Sequence, residues 1–174
     1  MKKYLNKQID VWCDGACKGN PGSGGWGVYI TVENQWSDKR EPDILEYELY
    51  GGEKETTNNI MEMTAVIKAA EWIVLYHYDK DKVIFHIDSA YIINCYKDKW
   101  YTKWIQNDWM TSNNEPVKNK ELWEKLIIIF EQPNFHFEKV KGHAIQKNMC
   151  ENPSPNQNLS RACIHGFPYR HENN

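Results

Sequence analysis

Three strand-forming segments follow one another before any helical periodicity begins, and that order constrains this chain more than any other feature of it. Gln8-Ile9-Asp10-Val11-Trp12-Cys13 alternates apolar with polar residues, as do Val28-Tyr29-Ile30-Thr31-Val32 and Leu45-Glu46-Tyr47-Glu48-Leu49-Tyr50. This is the period-2 pattern of strands with one buried face, and three in succession predict an antiparallel meander. The first strand is expected to stop at Asp14-Gly15, and the run Asn20-Pro21-Gly22-Ser23-Gly24-Gly25-Trp26-Gly27 to break regular structure. A helix follows over residues 59–76, with Thr57 or Asn58 as its cap and Val66, Ala69, Ala70 and Ile73 at helical spacing.

The second half alternates. Val83 to Asp88 reads as a short apolar strand, Ser89 can cap a helix running through Tyr91 and Ile92, and a Trp-rich stretch follows. Asn113 to Pro116 is a loop, Lys120 to Phe130 a helix, Phe135 to Val140 a last strand, and Leu159 to Ile164 the start of a final helix. Strands followed by helix, strand, helices and strand predict an α/β fold. With 174 residues against a usual domain length of ~150, a single domain over residues 1–174 is expected, its core at about residues 8–165.

Composition removes several classes. At 41% hydrophobic and 26% charged, the chain has enough apolar material for a core, so disordered and low-complexity classes are out. The longest apolar run, Leu126 to Phe130, is too short to span a membrane, and no apolar stretch stands behind Met1-Lys2-Lys3 to make a signal peptide. Five cysteines with no Cys-x-x-Cys pair suit a reducing, intracellular compartment better than a disulfide framework. His143, Cys150, Cys163 and His165 are too irregularly spaced for a zinc site. The formal charge of −3 advertises no polyanion partner, so nucleic-acid binding has to be argued from local features.

Three carboxylates break the pattern. Glu62 falls on the stripe of Val66, Ala69 and Ile73, where the core is needed, and a carboxylate there asks for a partner or a cation. Asp14 and Asp88 each stand at the end of a predicted strand, where a turn or cap role is the plainer reading of either alone. If those strands are neighbours and the helix packs across them, the three cluster. An all-oxygen cluster suits Mg²⁺ or Mn²⁺ rather than zinc.

Four segments carry a resemblance. Asp14-Gly15-Ala16-Cys17-Lys18-Gly19-Asn20-Pro21-Gly22-Ser23-Gly24-Gly25-Trp26-Gly27, Thr56-Thr57-Asn58-Asn59-Ile60-Met61-Glu62, Ile87-Asp88-Ser89 and Val140-Lys141-Gly142-His143-Ala144 resemble the motifs of type 1 ribonuclease H, in family order and spacing. The resemblance covers roughly residues 8–165. It implies a ribonuclease H-like fold, a mixed five-stranded sheet flanked by helices, and hydrolysis of the RNA strand of RNA/DNA hybrids. It implies two Mg²⁺ ions, replaceable by Mn²⁺, held by Asp14, Glu62 and Asp88 with Asp14 bridging. One ion lowers the pKa of a water and the other stabilises the departing 3′ oxygen. His143 matches the family's mobile histidine, expected to move a proton or assist product release with a pKa near neutrality.

The same resemblance places Cys17, Asn20 and Asn58 at hybrid-contacting positions, where discrimination rests on the 2′-hydroxyl. Trp100 and Trp104 lie in a stretch, Trp100 to Trp123, that resembles the protrusion gripping the DNA strand; Trp109 and Trp123 are expected to fill the helix interface instead. From Lys97 to Lys125, six Lys stand against five acids, a net of +1, less basic than is typical of the family. Ala90 occupies a position where the family often has Gln, which implies one RNA-strand contact fewer. The family's fourth carboxylate is also missing: register pairs it with Gln157, flanked by Asn156 and Asn158, with Glu151 a less suitable substitute after a longer loop. An amide can orient a metal-bound water but brings no charge, so the second ion should bind more weakly.

Transposases, integrases and resolvases share the fold, so a DNA-processing nuclease and a catalytically weak hybrid-binding protein are the competing readings. No separate hybrid-binding module is expected ahead of the first strand. The chain is expected to act as a monomer and to need no membrane.

Overall fold

A computed structural model describes residues 4–141 and shows five strands and four helices among them. The strands are β1 (Tyr4–Cys17), β2 (Gly22–Trp36), β3 (Asp43–Thr56), β4 (Lys82–Ile87) and β5 (Phe135–Lys139). The helices are α1 (Asn58–Leu75), α2 (Ala90–Asp98), α3 (Trp100–Gln106) and α4 (Lys120–Phe130). The sheet order is β3-β2-β1-β4-β5, antiparallel across β1, β2 and β3 and parallel from β1 to β4 to β5. The expected meander and mixed five-stranded sheet are both present, and the strands that carry Asp14 and Asp88 are neighbours.

Two strand limits differ from expectation. β1 does not stop at Asp14-Gly15 but runs on to Cys17, and the glycine-rich run does not break the sheet but opens β2 at Gly22. These glycines serve close approach rather than turning: a Cβ on Gly24 would stand 2.6 Å from the Thr56 methyl and 2.7 Å from the Ala16 carbonyl oxygen. Bare backbone is what lets three strands pack here.

Alternation sends Ile9, Val11 and Cys13 of β1, Val28, Ile30 and Val32 of β2, and Val83, Phe85 and Ile87 of β4 to one face. That face buries Val66, Ala69 and Ile73 of α1 and Trp123, Leu126 and Phe130 of α4. Thr57 caps α1, its hydroxyl accepting from the Ile60 N–H at 3.2 Å. The helix stops where His77 enters the left-handed region, φ 62°, and Tyr78 N–H returns to the Ile73 carbonyl, a closing turn that satisfies carbonyls otherwise left open. Lys99, at φ 48°, separates α2 from α3.

The opposite face carries the polar half of each strand. One straight row crosses the whole sheet there: Glu48, Tyr29, Trp12, His86 and Glu138 are register partners in turn. Trp12 stacks on His86 with centroids 4.7 Å apart, and His86 Nε2 stands 2.7 Å from an Asp10 carboxylate oxygen. No helix among the described residues is long and apolar enough to cross a membrane.

Candidate active site

Strand register brings the first two carboxylates level. Cys13 of β1 pairs in parallel with Ile87 of β4, and the next residue on each chain segment is Asp14 and Asp88. Glu62 arrives from above the sheet on α1. A Cβ on Gly15 would lie 2.3 Å from the Glu62 backbone nitrogen and 2.4 Å from the Met61 carbonyl carbon, so the helix backbone rests on β1 beside Asp14. Only a residue without a side chain permits that contact. Glu62 is half-buried on the stripe whose other members, Val66, Ala69 and Ile73, are fully buried.

Each carboxylate has a distinct setting. Asp14 accepts from the Gly15 N–H at 2.9 Å. Asp88 has one oxygen, Oδ1, that is buried and makes no hydrogen bond among the described residues. The Ser89 side chain stands close enough to Glu62 to favour its ionised form. Its hydroxyl, itself buried, also accepts from the Ile92 N–H at 3.4 Å. Ser89 thus caps α2 and also bears on the charge of Glu62. The sequence shows only the first role; the adjacency of Ser89 to Asp88 is the signal for the second.

Burial pushes the Glu62 carboxyl up from 4.5 to about 7, the Ser89 side chain opposes the shift, and the charges of Asp88 and Asp14 add to it. The three acids therefore share one electrostatic field. Cys13, beneath them, is held far above its ordinary value by burial and by Asp14 and Asp88, so it stays a neutral thiol. Among the described residues, no three His, Cys, Asp or Glu side chains converge tightly enough to form a complete ligand set. The donors nonetheless fit a hard divalent cation: all are oxygens, one is buried and unsatisfied, and the acids resist ionising together.

A measurable consequence follows for the chain free of metal. Glu62 keeps its proton in the folded state at pH values where the unfolded chain has lost it. The stability this contributes is complete below about 4.5 and disappears as pH rises through about 7. Melting curves in chelator are expected to show stability declining across that window, and Glu62→Gln to flatten the decline. If wild type and variant decline in parallel, Glu62 sits in water and the raised value is wrong.

The three residues expected to touch the hybrid do come together. Cys17 N–H donates to Asn58 Oδ1 at 2.7 Å, and Asn58 N–H donates to Asn20 Oδ1 at 3.1 Å. The Cys17 thiol faces the carbonyls of Thr56 and Gly22 at 3.2 and 3.4 Å. They join the β1–β2 turn to the start of α1, next to the segment that carries Glu62. Trp100 and Trp104 are half-buried, Trp104 packing on Trp109 and Trp123 with centroids 6.1 and 5.4 Å away. Trp123 is fully buried, as expected, with its indole N–H donating to the Tyr91 hydroxyl. His143, Glu151, Asn156, Gln157 and Asn158 lie outside the described residues.

The RNase H family model matches residues 6–158. The ribonuclease H of Moorella thermoacetica is 36% identical over 160 residues, covering 91% of this chain and 92% of its own. That of Acetivibrio thermocellus is 39% identical over 147 residues, 83% of this chain and 90% of its own. The chain belongs to the type 1 ribonuclease H family. Among solved structures, LC11-RNase H1 in complex with RNA/DNA hybrid matches with a TM-score of 0.50 at 29% identity, over 77% of this chain and 86% of that one. As a ribonuclease H, this chain is a hydrolase, and its mixed sheet with Asp14, Glu62 and Asp88 at one end is the ribonuclease H architecture built from its own residues.

Proposed function

We propose that this ribonuclease H hydrolyses the RNA strand of RNA/DNA hybrids with two divalent cations, Mg²⁺ or Mn²⁺, held by Asp14, Glu62 and Asp88. The observation that carries the reading is the convergence of β1, β4 and α1 on these three acids, fixed by the Cys13–Ile87 pairing and the Gly15–Glu62 contact. The hybrid complex of the related LC11-RNase H1 supports the substrate. When bound, the cations supply Lewis acidity that lowers the pKa of water and neutralises charge gathering on the departing 3′ oxygen.

The chain's own residues do the rest. Asp14, level with Asp88, supplies charge at the strand ends, and Ser89 orients Glu62 from the α2 cap. Cys17, Asn20 and Asn58 form a hydrogen-bonded rim that presents backbone and amide groups to the minor groove, where 2′-hydroxyls distinguish RNA from DNA. Trp100 and Trp104 offer aromatic edges to the DNA strand. His143 moves a proton or assists product release. The chain acts as a single catalytic domain and a monomer, in an intracellular compartment that suits its free Cys13, Cys17 and Cys95 thiols.

Cleavage of a hybrid labelled on its RNA strand, with and without Mg²⁺, tests the reading. Metal-dependent turnover of hybrid with duplex DNA spared is expected; tight hybrid binding without turnover would leave only a binding protein. Affinity should depend modestly on salt, because a protrusion of net +1 displaces few counterions. A log–log slope of about −6 or steeper would reveal a basic surface elsewhere.

A further inference from the structure

β3 is an outer strand of 14 residues, and among the described residues nothing pairs with its free edge. Such an edge presents unpaired N–H and C=O groups to solution. Its two faces differ. Toward α1 it shows Leu45, Tyr47 and Leu49, with Tyr47 packed at a tilt against Trp72, ring centroids 4.8 Å apart. This apolar rail opens into a groove between strand and helix, whose lining includes Leu49, Trp72 and Leu75 together with Glu48 and Tyr50 at the strand edge, and in which Lys68 and Glu71 pair with each other at 3.5 Å. Leu45 is 46% exposed and Leu75 69%. On the other face, Glu46 and Glu48 stand between Ile44 and Tyr50, and one Glu48 oxygen is buried without a hydrogen-bond partner.

We infer that the β3 edge is a docking site for an extended peptide segment of a partner protein that alternates apolar and basic residues, added to the sheet as a sixth strand. The added strand's residues would face β3's own across the pair, apolar against Leu45, Tyr47 and Leu49, and Lys or Arg against Glu46 and Glu48. A second copy of this chain fits poorly, since pairing β3 with β3 sets Glu46 and Glu48 of one copy against those of the other. Charge alone could serve merely to keep copies apart. The exposed Leu45, the half-buried Tyr47 and Leu49 beside it and the groove behind them are not needed for that, and they match the second face of an incoming strand. The acidic rail also repels phosphate, which separates this surface from hybrid binding.

Titration of the full chain with a short synthetic peptide alternating Lys and Val tests the inference, beside the same peptide with Glu for Lys and one with the same residues in blocks. The alternating Lys peptide is expected to bind and to protect backbone amides of residues 43–50 from hydrogen exchange. The Glu peptide should bind at least about tenfold more weakly, and Glu48→Lys in the protein should weaken the Lys peptide by a similar factor. Equal binding of all three peptides, protection confined to other residues, or no binding would overturn the inference. So would dimerisation of the chain alone with protection of the same strand. Hybrid cleavage should be unchanged by Glu48→Lys, so failure here leaves the catalytic reading standing.

Discussion

Asp14→Asn, Glu62→Gln and Asp88→Asn are each expected to lower hybrid cleavage by several orders of magnitude while leaving the fold intact. Each substitution keeps shape and removes one negative charge from a site proposed to hold two dications. A thousandfold loss corresponds to about 4 kcal/mol of barrier, a reasonable share of what metal chemistry supplies. Folding should survive because the amide oxygen introduced by Asp14→Asn could still accept from the Gly15 N–H, as the Asp14 carboxylate does at 2.9 Å. Glu62→Gln should leave the protein no less stable than wild type near neutral pH without metal, since burial already opposes the charge there. Turnover with saturating Mg²⁺ and melting in chelator are the two measurements. Near-normal turnover of Asp14→Asn would falsify the metal assignment.

Much of the fold is legible in the sequence because periodicity is a local property. Thr57 caps α1 as its position before the apolar stripe predicts, and α4 begins at Lys120 and ends at Phe130 as the spacing requires. The expected break holds at Asn20 and Pro21, and its failure from Gly22 to Gly27 has a physical source. Glycine breaks an isolated strand on entropic grounds, yet Gly24 belongs to β2 because Ala16 and Thr56 press too close for any side chain. That pressure comes from strands distant in sequence, and propensity does not contain it. The same holds for Asp14, which reads as a strand end before Gly15 and lies inside β1, opposite Gly27.

The site divides along the same line. Glu62 is conspicuous in the sequence because a carboxylate interrupts an apolar stripe, and its half-burial and raised pKa are the physical content of that misfit. Asp14 and Asp88 are not conspicuous singly. Their pairing depends on the parallel register of β1 and β4, which no local signal reports and only the motif resemblance supplies. Ser89 hides more completely: a serine before a helix is explained by its cap, and only its adjacency to Asp88 hints that it also bears on Glu62. Trp104 admits two roles at once, since an aromatic in a binding segment also packs against Trp109 and Trp123.

Gly15→Ala is expected to damage both stability and catalysis, although it touches no charge. The added methyl would begin 2.3 Å from the Glu62 nitrogen and 2.4 Å from the Met61 carbonyl carbon, a distance that no rotamer change relieves because both neighbours are backbone. Either α1 lifts from β1 or the strand bends away. Overpacking of this kind costs up to about 3 kcal/mol, which for a domain of this size lowers the melting temperature by roughly 10 °C. The displacement falls at the residue that carries one of the three acids, and a shift of about 1 Å there is enough for a loss of roughly a hundredfold in rate. The two effects separate by experiment: at a temperature where circular dichroism shows the variant fully folded, turnover should still be depressed and need more Mg²⁺ to reach half its maximum. A folded variant with wild-type turnover and Mg²⁺ requirement would mean that the contact between Gly15 and α1 does not set the position of Glu62, and that Ser89 alone holds it in place.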